Sequence, residues 1–207
     1  MVKCDSRRER AFAKAAAIFR GHGGVLRTME ALQLGVHPRT LYAMRDTGML
    51  EQLGRGLFRL SDLPPLGNPD LVAVGLRVPE GVICLISALA VHEITTQIPH
   101  EVHIALRRGA ETPRLEHPPV RVFWFTGTAF DEGIETRELD GVAIRVYGTA
   151  KTVADCFKYR NKLGLDVALE ALKLYLQQRA GSIDDLVHFA RVCRVEKVIR
   201  PYVEALL

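Results

Sequence analysis

The chain has 207 residues, 48% hydrophobic and 25% charged, with a formal net charge of +4, the composition of an ordinary globular protein of one or two domains. No apolar run approaches the roughly 20 residues needed to span a bilayer, and the N-terminal MVKCDSRRERAFAKAAAIF lacks the uninterrupted apolar core of a signal peptide. Cys4, Cys84, Cys156 and Cys193 are scattered with no C-x-x-C pair, which argues for thiols rather than a metal site and for a reducing compartment, most simply the cytoplasm.

The first residues predict an amphipathic helix, opened by a capping box of Ser6 and Glu9 and carrying Phe12, Ala16 and Phe19 at helical spacing. Gly24–Leu60 then reads as a helix, a tight turn at Gly35-Val36, a second helix and a two-stranded ribbon with Gly54-Arg55-Gly56 at its tip. That is the order of a winged helix-turn-helix, which places its second helix in the major groove of DNA. His37 is the expected N-cap of that helix, and Pro38 suits its first position, where the missing N–H costs nothing. Leu41 and Met44 share the buried face. Arg39, Thr40 and Ala43, near the N-terminal end, are placed to read bases, and Arg39 offers a bidentate fork to guanine. Tyr42 and Arg45 are expected at phosphates, and Arg55 at the backbone or in the minor groove. Arg27 and Thr28 are counted with the DNA-contacting residues. Charge agrees: residues 1–62 hold 11 Lys/Arg against 6 Asp/Glu, residues 63–207 hold 17 against 18, so the cationic, salt-dependent part of DNA affinity falls in the first segment.

Pro64, Pro65 and Pro69, with Gly67 and Asn68, interrupt any regular element. The expected division is a DNA-binding domain over 1–62, a semi-rigid linker over 63–69 and a second domain over 70–207. In the latter, Asp70–Arg77 reads as a helix, Val82–Ile86 as a short strand, and Ser87 as the cap of a helix through Val91. Glu101–Leu106 and Val120–Phe125 read as strands, and Glu135–Tyr147 as a hairpin turning at Asp140-Gly141. Thr149 is the expected cap of a helix to Tyr159. Leu165, Leu169, Leu172 and Leu176 form an apolar stripe, Ser182 and Asp185 cap a further helix, and Val195–Leu207 closes the chain with Pro201 kinking or restarting it. The fold class is therefore α+β: an N-terminal winged helix-turn-helix followed by a mixed domain of a small, mostly antiparallel sheet and C-terminal helices.

Three stretches carry a resemblance to a family. They are GGVLRTMEALQLGVHPRTLYAMRDTGMLEQLGRGLFRL, then Ser87–Thr95 with Ile98-Pro99 leading into Val102–Ala105, then Tyr147–Asp155 with its Lys-Thr-x-x-Asp helix start. In this order the chain resembles the AbiEi-family antitoxins of type IV toxin–antitoxin systems. The resemblance implies a transcriptional repressor of its own operon that binds promoter inverted repeats through the winged helix. It also implies a second domain that counteracts a separately encoded nucleotidyltransferase toxin, without a required stable complex. Lys151, Thr152 and Asp155 are candidates for a contact surface on that domain, beside the plainer reading of a helix-start ion pair. Arg107 and Arg108, ending a strand, are a second basic feature.

No catalytic residue, metal ligand or cofactor is expected. The histidines do not pair at ligand spacing, and His100 and His103 should face opposite sides of a strand. Asp131, Glu132 and Glu135 read as solvated acids, without the lysine a Mg²⁺-dependent nuclease would set among them. Phosphate-loop, dinucleotide and serine-hydrolase motifs are absent from the sequence. The rival readings are a stand-alone regulator whose second domain senses a ligand or dimerises, and a metal-dependent nuclease.

Overall fold

The computed structural model describes residues 2–115 and 117–207, with side chains from Arg7 onward. Two compact units are present. One comprises the residues up to Arg77 together with Glu138–Ala143; the other comprises Val78–Arg137 and Ile144–Leu207.

In the first unit α1 (Val2–Arg20) buries Ala15, Ala16 and Phe19, the face its spacing dictated. Residue 6 lies inside this helix rather than at its cap, and the Ser6 and Cys4 side chains lie outside the described residues. There follow β1 (Val25–Arg27), α2 (Thr28–Gln33), α3 (Pro38–Asp46), β2 (Leu50–Gly54) and β3 (Leu57–Leu60). The ribbon is not two-stranded but three-stranded, in the order β1-β3-β2, with β3 pairing antiparallel to both neighbours. A three-residue strand such as β1 carries too few alternations to be read from sequence. Its presence explains why all four residues of β3 are buried: β3 is the central strand.

The turns before and after α3 are closed by backbone chemistry. Before it, Gly35 adopts φ 90° and donates to Leu32 O, while Val36 donates to Ala31 O, the paired bonds of a Schellman C-terminus. After it, Gly48 (φ 75°) and Met49 repeat the arrangement onto Arg45 O and Met44 O. Neither glycine tolerates a side chain without strain at such φ. The Pro-rich segment packs inside this unit: the nearly buried Arg59 donates to Glu51 at 2.6 Å and to the Pro64 carbonyl. The Asp140 carboxylate accepts from Gly67 and Asn68 N–H, each at 2.9 Å. Helix α4 (Pro69–Arg77) completes the unit, so the division between units falls after Arg77 rather than over residues 63–69.

The second unit holds β4 (Val82–Ile83), α5 (Leu85–Val91), β5 (Val102–Arg107), β6 (Val120–Phe125) and α6 (Thr128–Asp131). Next come β7 (Ile134–Leu139), β8 (Val142–Tyr147), α7 (Thr149–Lys158) and α8 (Arg160–Leu163). The chain ends with α9 (Leu165–Gln177), α10 (Ile183–Val192) and α11 (Glu196–Leu206), which runs through Pro201. The sheet order is β6-β5-β4-β8-β7. It is mixed: β4–β5 is antiparallel, whereas β4–β8 and β5–β6 are parallel. Asp140-Gly141 turns the β7–β8 hairpin with φ of 52° and 78°, as its dipeptide requires.

Two caps differ from expectation. Ser87 is the third residue of α5, whose N-cap is Cys84; its hydroxyl instead accepts from His103 N–H at 2.9 Å. Thr149 is the first residue of α7, capped by Gly148, and its hydroxyl donates to Ala180 O at 2.7 Å. Ser182 caps α10 as expected, accepting from Asp185 N–H at 3.0 Å. The buried face of α9 is Val167, Ala168, Ala171, Leu172 and Tyr175, rotated from the leucine stripe, and Leu165 is exposed.

Helix α7 is buried on every side, from Ala150 to Phe157. Lys151 and Asp155, expected as a surface pair, have no exposure at all. One turn of spacing puts the two on the same helix face, but does not say that the face meets water. The pair is enclosed because Lys151 Nζ sits 4.2 Å from the Tyr147 ring centroid and 4.9 Å from that of Phe125. Asp155 also accepts from Cys193 Sγ at 3.1 Å. Asp155→Ala strands a buried ammonium and should lower unfolding free energy by about 3–5 kcal/mol. Lys151→Met combined with Asp155→Leu should recover most of that loss, as measured by urea titration.

Candidate nucleic-acid interface

Helix α3 is amphipathic by placement as well as by composition. Leu41 and Met44 have no exposure and join Phe19, Leu26, Ala31, Leu50 and Phe58 in the core of the first unit. At the N-terminal end, His37 Nδ1 accepts from Arg39 N–H at 3.2 Å, satisfying one of the helix's open donors. Arg39 is exposed, and Thr40 and Ala43 are half-buried. Among the described residues, Arg39 has no carboxylate partner, so its guanidinium carries an uncompensated charge at the end of the helix that enters DNA in such folds.

The other candidates divide by what already holds them. Tyr42 is 42% exposed and packs edge-on to Phe58, with centroids 6.2 Å apart. Arg45 lies over the same tyrosine, its Cζ 5.1 Å from the ring centroid, and gives Nε and Nη2 to one oxygen of Asp46 at 2.9 and 2.7 Å. A phosphate reaching Arg45 therefore competes with a neighbouring carboxylate. The sequence carried this signal in the adjacent Arg45-Asp46 pair, whose consequence the reading of α3 by faces did not include.

Thr28 is engaged within the fold. Its N–H and hydroxyl both reach the Gly56 carbonyl, at 2.8 and 3.3 Å, tying the start of α2 to the ribbon turn. Arg27 is half-buried; its backbone N–H donates to Glu30 Oε2 at 2.9 Å, and its Nε is buried without a partner. These contacts set where Arg55 stands: it is exposed, next to the Gly56 that Thr28 holds, and has no carboxylate partner among the described residues. Arg7, Arg8 and Arg10 on α1 are three further exposed cations that the sequence reading left out.

In the second unit the candidate surface is not a surface. Lys151, Thr152 and Asp155 are fully buried, and the Thr152 hydroxyl donates to Tyr147 O at 3.0 Å. Arg107 is paired with Asp131 and lies 5.0 Å from the Phe130 ring centroid. Arg108 is exposed and anchored by its backbone to Phe125 O. The acids weighed for metal chemistry are each matched by a base: Asp131 by Arg107, Glu132 by His188 at 3.0 Å, Glu135 by Arg137 at 3.0 Å. His100 and His103 line one cleft because β5 begins only at Val102, leaving His100 outside the strand alternation.

Residues 14–61 match the family described as transcriptional regulator, AbiEi antitoxin, a span running from the middle of α1 to just past β3. The solved structure of the RV2827C protein from Mycobacterium tuberculosis is similar in fold, with a TM-score of 0.53 at 15% identity over 95% of this chain and 80% of that one. Among curated proteins, none matches. No helix of the described residues is long and apolar enough to cross a membrane.

The Arg45–Asp46 geometry has a measurable consequence. Asp46→Asn should tighten binding to duplex DNA roughly two- to five-fold, the scale set by releasing an exposed ion pair. Arg55→Ala should reduce the slope of log affinity against log salt by about 0.9 if it neutralises one phosphate. Fluorescence titration across a salt series reads both, and a slope unchanged in Arg55→Ala would place that residue away from the duplex.

Proposed function

We propose that this chain, whose N-terminal residues match the AbiEi antitoxin regulators, is a promoter-binding autorepressor and antitoxin. The observation that supports it most is the disposition of α3: apolar residues fully inward, both ends closed, and Arg39 outward and unmatched at the N-terminal end. In the proposed complex α3 lies in the major groove, with Arg39 and Thr40 at base edges and Ala43 alongside. Tyr42 and Arg45 face the phosphate backbone. Arg55 on the β2–β3 turn meets the adjacent backbone or minor groove. Inverted repeats would place two copies on one operator, each reading a half-site.

The antitoxin part rests on the family likeness, and the second unit is its proposed agent. The toxin would be a nucleotidyltransferase opposed without a stable complex. Its opposition would have to come from exposed residues of that unit, since the Lys-Thr-x-x-Asp helix start is buried. No catalytic step enters this reading. Co-expression with the product of a neighbouring nucleotidyltransferase reading frame tests the antitoxin half separately.

The repressor half is tested by titrating the protein onto its own upstream promoter fragment and onto a scrambled duplex. Arg39→Ala should lose roughly 1–3 kcal/mol on the promoter and little on the scrambled sequence. Equal affinity of the unaltered protein for both duplexes would overturn the assignment of a sequence-reading helix.

A further inference from the structure

The second unit carries a cleft of about 370 Å³, built by chemistry unrelated to the winged helix. His103 on β5 and Arg121 on β6 are register partners in a parallel pair, so they project to the same face of the sheet. Glu101 stands beside both. One of its oxygens lies 3.3 Å from Arg121 Nη1 and 3.4 Å from His103 Nε2. A carboxylate only accepts, so Nε2 carries the hydrogen. Burial pushes the His103 pKa down despite Glu101, which keeps the ring neutral. Its Nδ1 is buried without a partner, and the ring is flanked by Glu101 at 3.4 Å and by the Phe123 ring, centroid to centroid 5.1 Å.

The remaining balance is electrostatic. The second oxygen of Glu101 has no partner among the described residues, and the residue is partly exposed. Arg121 offsets the charge of Glu101. Lys162, exposed and 5.8 Å from the Tyr159 ring centroid, has no carboxylate partner among the described residues. The cleft therefore holds one surplus positive charge beside one free acceptor oxygen, with apolar walls from Ile86 and Leu163 and the 82% exposed Ile98 at its edge. A cationic ligand meets the surplus charge unfavourably. A neutral apolar ligand leaves both polar groups unmatched.

We infer that this cleft is a binding site for a small hydroxylated organic anion. The anionic group lies at Lys162 and Arg121, a hydroxyl donates to the free oxygen of Glu101, and the carbon skeleton packs against Ile86 and Leu163. The anionic group is a phosphate or a carboxylate. The site does not depend on what the first unit binds.

Calorimetric titration of the full chain, without DNA, tests this with glycerol 3-phosphate and with glycerate. Glycerol and inorganic phosphate serve as controls. Saturable binding of at least one hydroxylated anion is expected, at least about tenfold tighter than either control; which one binds identifies the anionic group. Lys162→Met should weaken that binding about tenfold or more with an unchanged melting curve, as befits an exposed residue. Glu101→Gln should weaken the hydroxylated anion while leaving inorganic phosphate as weak or slightly tighter. No saturation by either anion up to the order of ten millimolar, or binding untouched by Lys162→Met, would overturn the inference.

Discussion

Charges removed from water must be matched on the spot, and this requirement organises both units. The Lys151–Asp155 pair is the most demanding case, because neither side chain has any exposure and each ion alone would cost several kcal/mol to bury. Several groups around α7 meet the pair. Tyr147 and Phe125 turn their rings toward the ammonium. Tyr147 is itself fixed, its hydroxyl donating to Phe130 O at 2.8 Å, and its carbonyl accepts from Thr152 and lies 2.7 Å from His92 Nε2. Cys193 brings the end of α10 to Asp155. Burial pushes the Cys193 thiol up, and the Asp155 charge adds to this, so Cys193 stays a hydrogen-bond donor rather than a nucleophile. Desolvation raises the Asp155 pKa, and the neighbouring Lys151 and the Cys193 thiol oppose that rise without cancelling it.

The first unit meets the same requirement nearer the surface. Arg59 sits on the central strand with almost no exposure, and its guanidinium is divided between Glu51 and the Pro64 carbonyl. Matching one charge thereby straps a proline-rich segment onto the sheet. The same comparison sorts the exposed cations. Arg45 and Arg107 have carboxylates of their own, while Arg39 and Arg55 in the first unit and Lys162 in the second lack them among the described residues. Unmatched charge is where a protein has most anion affinity left to offer, and those three positions are among the ones where ligands are proposed.

What was legible in the sequence is what depends on a few adjacent residues. His37-Pro38, Gly35, Gly48, Asp140-Gly141 and Ser182 with Asp185 each specify a backbone geometry locally, and each stands where its chemistry requires. Strands β1 and β4 were lost or overextended because three- and two-residue strands are made by their partners, not by their own alternation. Lys151–Asp155 and the α9 leucines fail for one shared reason. Periodicity tells which residues share a face, while the partner of that face comes from elements distant in sequence. Tyr175 is buried, its hydroxyl satisfied by Ser182 O at 2.6 Å, while Leu165 at the helix start is exposed. Which residues of α3 point outward was legible, since a helix opened at His37 leaves only certain positions away from the core. The competition at Arg45 and the tether at Thr28 needed the third dimension.

The closure of α3 bears on how such a module changes its target. The helix is positioned by the His37 side chain at its start, by backbone bonds at its end and by Leu41 and Met44 beneath it, while the Arg39 side chain is exposed. Substituting its side chain therefore falls in the class of exposed changes that move stability within about half a kcal/mol. The same change on a base edge alters binding by roughly 1–3 kcal/mol. In the proposed complex, sequence preference is thus free to vary at Arg39 without disturbing the scaffold. The opposite holds at Thr28 and Gly56, whose bonds set the ribbon turn: a change there moves Arg55 and, in the proposed complex, its phosphate contact. On this proposal specificity and placement are carried by different residues, and only the first set can be exchanged one at a time.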